Sequence, residues 1–132
     1  MSNPLLREGP VPLFVHGAIE YAAGVLFIGA PLLFQFDAGP ATALSVVVGI
    51  LVLFVAATTD SPTGLVRGMT LTVHVVLDYV LAMFLIAAPF LFDFTDDTSA
   101  IVFFIVMGIV HLLLTVATRF LRGPATPPVK GA

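Results

Sequence analysis

Polar residues are scarce along this chain, and they gather in a few places. From about Pro12 to Phe34 the sequence is apolar apart from His16, Glu20 and Tyr21, and three further apolar runs follow at about Ala41–Thr58, Met69–Phe92 and Ser99–Phe120. Each is long enough to cross a hydrocarbon core of about 30 Å as a helix rising 1.5 Å per residue. Between them lie short polar connections rich in breakers: Asp37, Gly39 and Pro40 in the first, Thr59 to Gly64 in the second, and Asp93, Asp96 and Asp97 in the third. Pro31 and Pro89 fall near the far ends of the first and third runs and are expected to kink or end those helices. Ala41, Ser45 and Gly49 recur every four residues, a small-residue stripe that lets a neighbouring helix approach closely. The pattern predicts an all-α fold with four membrane-spanning helices.

The second half repeats the first. A shift of 58 positions lays His16 on His74, Tyr21 on Tyr79, Ile28 on Ile86, Ala30 on Ala88 and Pro31 on Pro89. One further residue of offset lays Gly49 on Gly108 and Thr59 on Thr118. The repeating unit is a helical hairpin, with repeat one at about 12–60 and repeat two at about 69–121. Each unit crosses twice, so both copies insert in the same sense and their pseudo-twofold axis lies along the membrane normal. The architecture expected is a membrane four-helix bundle of two tandem, parallel transmembrane hairpins, forming one domain with flexible termini at 1–10 and 122–132.

Composition agrees with the pattern. Of 132 residues, 59% are hydrophobic and 10% charged, too few charges to cover a water-soluble surface, so the bilayer is the first partner. There is no cysteine, which removes thiolate metal sites and thiol catalysis. The net charge of −3 offers nothing to nucleic acid. All five basic residues, Arg7, Arg67, Arg119, Arg122 and Lys130, lie before the first helix, in the middle connection or after the fourth. The positive-inside rule then puts both termini in the cytoplasm of a multi-pass protein in a prokaryotic plasma (inner) membrane.

The chemistry available sits in the repeated stretch. His16 and Glu20, and again His74 and Asp78, stand four residues apart, one turn above the other on a helix face, each pair followed by a tyrosine, Tyr21 or Tyr79. Ionisable residues inside a membrane segment are costly and mark pathways, relays or ligand sites. Glu20 is expected about 12 Å in from the cytoplasmic end of its helix, and His111 about 15 Å in from that end of the fourth. If the first and third helices face each other, two histidines and two carboxylates converge.

Several readings of that set stay open. It can handle protons or ions. It can bind a divalent metal through His16 and His74 with the carboxylates, and with His111 as a possible extra ligand. It can hold haem between two histidines. The plain structural alternative is that each histidine bonds its own carboxylate, that His111 bonds Thr115, and that the pairs merely lock the hairpins of an accessory or assembly subunit. The chain carries no phosphate loop, nucleophile elbow or other enzyme motif. Phe34, Phe36, Phe92 and Phe94 are expected to anchor helix ends as apolar bulk. Surplus small residues leave faces for a homo-oligomer or a membrane-complex partner.

Gly24-Val25-Leu26-Phe27-Ile28-Gly29-Ala30-Pro31, followed by Val46 to Val52, resembles the small bacterial membrane proteins with the SPW repeat, and Ala87-Ala88-Pro89-Phe90 repeats the outline. Of the Ser-Pro-Trp motif the proline is kept. Ala30 and Ala88 replace the serine, and Leu32 and Phe90 the tryptophan. The resemblance implies four helices and a repeat, and brings no activity and no residue roles.

Overall fold

The computed structural model describes residues 5, 6 and 9–120. The expectation of flexible termini at 1–10 and 122–132 therefore falls largely outside the described residues, as do Arg7, Arg122 and Lys130. Four helices carry the fold: α1 at Leu13–Leu33, α2 at Gly39–Thr58, α3 at Leu71–Leu91 and α4 at Thr98–Ala117. They are 21, 20, 21 and 20 residues long, which at 1.5 Å per residue is about 30 Å each. The four-helix membrane bundle expected from the apolar runs is the fold observed.

Local chemistry explains the ends. In α1 and α3 the chain leaves the helix through a residue with positive φ, Gln35 at 53° and Asp93 at 54°. Just beyond, Phe36 N–H donates to Pro31 O and Phe94 N–H to Pro89 O, both at 3.0 Å, a Schellman closure in each repeat. The prolines do not stop their helices, which run two residues further; their carbonyls instead receive the closing bond. The α3 start is capped by Thr70, whose side chain accepts from Val73 N–H, and the α4 start by Asp97, which accepts from Ala100 N–H. Pro40 sits in the first turn of α2, where its missing N–H costs nothing.

Helix four ends three residues sooner than its apolar run. Thr118 and Arg119 (β2) leave the helix to pair in parallel with Val11 and Pro12 (β1), a two-residue ladder that hydropathy does not signal. Its counterpart is the bridge between Thr59 and Met69. Each hairpin's last residue is thus tied to the chain that enters the other hairpin's first helix.

Within each hairpin the helices meet through small residues. Ala41, Ser45 and Gly49 are all buried, and Ser45 Oγ donates to Phe27 O at 2.6 Å. At Gly49 an added Cβ would stand 2.6 Å from Gly24 O, so two backbones nearly touch there. Between hairpins the contact is aromatic, with Phe27 at 5.0 Å and Phe36 at 5.7 Å from Phe103, while Phe94 packs at 5.1 Å on Phe104 within the second hairpin. Of the four phenylalanines expected at helix ends, Phe34 and Phe92 are exposed, but Phe94 is buried and Phe36 half-buried against this cluster. The positive-φ turn swings the residue after it back over the bundle.

The outer surface is apolar. Leu32, Phe54, Val80, Met83 and Leu113 are exposed, while His16, Glu20, Ser45, Thr59, His74 and Asp78 are buried. This inversion of the water-soluble arrangement is what a lipid solvent requires, and the chain is an integral membrane protein.

Candidate functional site

The repeat offset places His16 and His74 at the fourth residue of their helices, and Glu20 and Asp78 one turn further in. The ladder and bridge at that end draw the two helix starts together over the pseudo-axis. Around one point lie His16 Nε2, His74 Nε2, an oxygen of Glu20 and an oxygen of Asp78, all within 4.8 Å of one another. His16 Nε2 is 3.1 Å from Glu20 Oε1 and 3.2 Å from Asp78 Oδ2. His74 Nε2 is 2.9 Å from Glu20 Oε1 and 3.2 Å from Asp78 Oδ2. All four side chains are at least 95% buried. The histidines do not keep to their own carboxylates, since each is shared across the two hairpins.

Two residues not anticipated as site residues complete the arrangement. Thr118 Oγ1 donates to Leu114 O at 2.6 Å and lies 2.7 Å from His16 Nδ1. Thr59 Oγ1 donates to Val55 O at 2.6 Å and lies 2.7 Å from His74 Nδ1. A hydroxyl has one proton, and here it is spent on the carbonyl one turn back, so in each pair the ring Nδ1–H must be the donor. That fixes the tautomer and turns Nε2 toward the shared centre. The signal was present in the offset that lays Thr59 on Thr118. What single-chain reading lacked was that each threonine serves the histidine of the other hairpin.

His111 joins from one side. Its Nε2 is 3.3 Å from Asp78 Oδ1 without hydrogen-bond geometry, and Thr115 Oγ1 donates to its backbone carbonyl at 2.8 Å rather than to its ring. Because α4 ends at Ala117, His111 lies about 9 Å from the helix end, nearer than its apolar run implied. Tyr21 OH donates to Thr63 O at 2.8 Å, pinning the middle connection, and Tyr79 is half-buried. Phe120 closes over the cluster, with its ring 5.3 Å from that of His16.

Comparison with protein families then decides the lineage: the SPW repeat domain matches residues 14–118. The chain belongs to the SPW repeat family. The matched span contains every residue of the cluster, from His16 to Thr118. Within this SPW repeat protein the motif positions divide by environment. Ala30 and Ala88, at the serine places, are fully buried, whereas Leu32 and Phe90, at the tryptophan places, are 89% and 64% exposed toward lipid. No curated protein and no solved structure matches the chain.

Proposed function

We propose that this SPW repeat protein binds one divalent transition-metal ion between its hairpins, with His16, Glu20, His74 and Asp78 as ligands. The observation that carries the reading is the convergence of four buried ligand atoms on one point, with the outer nitrogen of both histidines engaged by a threonine. An outer-shell bond of that kind orients a ligating imidazole and leaves Nε2 to bind the ion. Tetrahedral bonds of about 2.0–2.1 Å would space the ligand atoms about 3.3 Å apart; the nitrogen–oxygen separations here are 2.9–3.2 Å and the whole set spans up to 4.8 Å, so a bound ion would draw the wider pairs inward. Two neutral imidazoles and two carboxylates carry two negative charges, which one divalent cation neutralises in a low-dielectric setting. A mixed nitrogen and oxygen set suits zinc, iron or manganese. Haem fits less well, because the carboxylate oxygens occupy the space beside both Nε2 atoms where a macrocycle would lie.

The direct test is titration of the detergent-purified protein with Co²⁺. One equivalent giving four-coordinate visible bands, lost in His16→Ala and His74→Ala, supports the reading; bands unchanged in both variants, or none in the parent, overturn it. A second reading is favoured by the sharing of each carboxylate across the hairpins: the cluster, charged or protonated, is a polar lock in an accessory or assembly subunit. It predicts no metal, and copurifying subunits or a homo-oligomer that dissociate when the lock is broken. For either reading we place both termini in the cytoplasm of a prokaryotic inner membrane, supported by the basic residues at that end of the bundle, including exposed Arg67.

A further inference from the structure

A cavity of about 470 Å³ lies at the end of the bundle that carries the histidines, bordered by Asp60, Arg67, Met69, Thr70 and Phe120. Its walls come from both ties that close this end. Met69 belongs to the bridge with Thr59, and Phe120 stands just beyond the β1–β2 ladder. Each of these two side chains also reaches the cluster. The Phe120 ring, 2% exposed, meets the His16 ring edge-on at 5.3 Å. Met69 Sδ lies 3.9 Å from Thr59 Oγ1, the hydroxyl that holds His74 Nδ1. One layer of side chains therefore parts the cavity from the outer faces of both histidines.

The repeat shows that the ring is an addition. The offset that lays Thr59 on Thr118 lays Ser61 on Phe120. The first hairpin makes the same crossing with a small hydroxyl there, 3.4 Å from Thr63 Oγ1. The crossing itself needs no aromatic side chain, and the second hairpin places one against a candidate ligand.

Solvation separates this approach from the others. A divalent ion in water carries about six inner waters, roughly 180 Å³ at about 30 Å³ each, which the cavity accommodates. Asp60 offers a carboxylate to such an ion: its partner Arg67 is 3.6 Å away and 80% exposed, and an ion pair that exposed is weakly held. Two smaller spaces reach the carboxylates from the flanks, about 170 Å³ between α2 and α3 and about 40 Å³ between α1 and α4. Val52, Val55, Leu81 and Leu114 wall them, and exposed Val80 and Val110 border them toward the lipid. An ion enters such apolar space only without its water, at a prohibitive desolvation cost.

We propose that a hydrated divalent cation enters and leaves the cluster through the cavity beside Asp60, and that Phe120 is the gate, exchange occurring when its ring swings off His16. The inference rests on the metal reading and adds the route and the residue that sets the rate. Phe120 contributes no ligand atom, so its barrier slows entry and exit alike. The affinity, which is their ratio, is left to His16, Glu20, His74 and Asp78.

The test is stopped-flow uptake of Co²⁺ by chelator-treated protein in lipid nanodiscs, followed by release into excess EDTA. Phe120→Ala is expected to speed uptake and release together, about tenfold or more, with Kd held within about threefold, and Phe120→Trp to slow both. Phe120→Leu serves if the alanine variant does not fold. Val52→Phe, which narrows the space between α2 and α3, is expected to leave both rates unchanged. Faster release alone, with a matching loss of affinity, would make Phe120 a brace for His16 and overturn the gate. Parent-like rates in the folded Phe120 variants, or slowed exchange in Val52→Phe, overturn the route and leave the metal reading standing. A parent that takes up no Co²⁺ removes the metal reading and this inference with it.

Discussion

Laid over each other, the two hairpins agree at the end that carries the histidines; at the other they keep the same Schellman closure and diverge in packing and capping. At the first end, His16 matches His74, Glu20 matches Asp78, Thr59 matches Thr118, and the Val11–Thr118 pairing matches the Met69–Thr59 bridge. At the far end, Ser45 corresponds to Phe104, Phe27 to Leu85, and the uncapped Ala38 to Asp97. A polar site on a pseudo-twofold axis needs equal contributions at fixed distances from both sides. Apolar packing needs only that volumes sum correctly, so small on one side and large on the other serves as well as two equals.

The largest test of that contrast is to remove one contribution from the matched end. Asp78→Ala is expected to cost about 3–5 kcal/mol, because it leaves two imidazoles and Glu20 buried with their partner gone. Glu20→Ala should cost a similar amount, measured by thermal unfolding in mild detergent. If one is near neutral and the other severe, the two carboxylates are not equivalent and the axis through the cluster is not functional.

At the unmatched end the corresponding test is Asp97. Its Oδ2 accepts from both Asp37 N–H and Ala38 N–H at 2.8 Å, and its Oδ1 from Ala100 N–H at 3.1 Å, so one carboxylate caps its own helix and fastens the other hairpin's outer turn. Burial pushes this carboxyl up, but the backbone N–H groups of Ala38, Ala100, Asp37 and Ser99 outweigh it and hold it below the ordinary value of 3.8. Asp97→Ala should cost about 2–3 kcal/mol as charge-assisted bonds are lost. A group lowered on folding contributes fully above its unfolded value and loses that contribution as pH falls through its folded one. The unfolding midpoint should therefore drop as pH falls below about 4, and Asp97→Asn should flatten that drop. An identical acid slope in the variant would assign it to other carboxylates.

These two residues also mark what could be read from the sequence. The spans, the repeat, and the gathering of His16, Glu20, His74 and Asp78 followed from hydropathy, a 58-residue offset and parity, because a bilayer allows so few ways to place a polar side chain. The crossed pairing did not follow. Thr59 and Thr118 look like ordinary helix-end threonines bonding one turn back, and nothing in the local sequence of Thr118 points to a histidine 102 positions away. Asp97 was legible as a turn former and not as a cap on a distant loop, since its partners are backbone N–H groups whose position depends on the finished fold.

A finer test returns to the matched end. Thr59→Val and Thr118→Val keep shape while removing the acceptor for Nδ1–H, and each is expected to weaken metal binding about 10- to 100-fold, the usual cost of an outer-shell partner. Equal losses in Co²⁺ competition sharpen the symmetry; a loss from one alone breaks it. The small-residue contacts invite a similar comparison. An alanine Cβ at Gly49 would meet the Gly24 carbonyl at 2.6 Å, which cannot yield, whereas at Gly108 it meets the movable Ile86 side chain at 2.7 Å and the Ala82 carbonyl at 3.0 Å. Overpacking of this kind costs about 1–3 kcal/mol, with Gly49→Ala at the upper end and Gly108→Ala at the lower, read from unfolding midpoints.

The smallest expected effect lies at the one place where the cluster itself is unequal. His111 has Val52 as its counterpart, and its Nε2 stands 3.3 Å from Asp78 Oδ1 without forming a hydrogen bond. Removing a buried polar atom that is already unsatisfied forfeits little, and the valine that replaces it is what the other hairpin carries. His111→Val should therefore shift stability by less than about 0.5 kcal/mol and leave Co²⁺ affinity within about threefold, because no ligand and no made bond is lost. A tenfold fall in affinity would instead make His111 a fifth ligand. The asymmetry would then belong to the metal site itself.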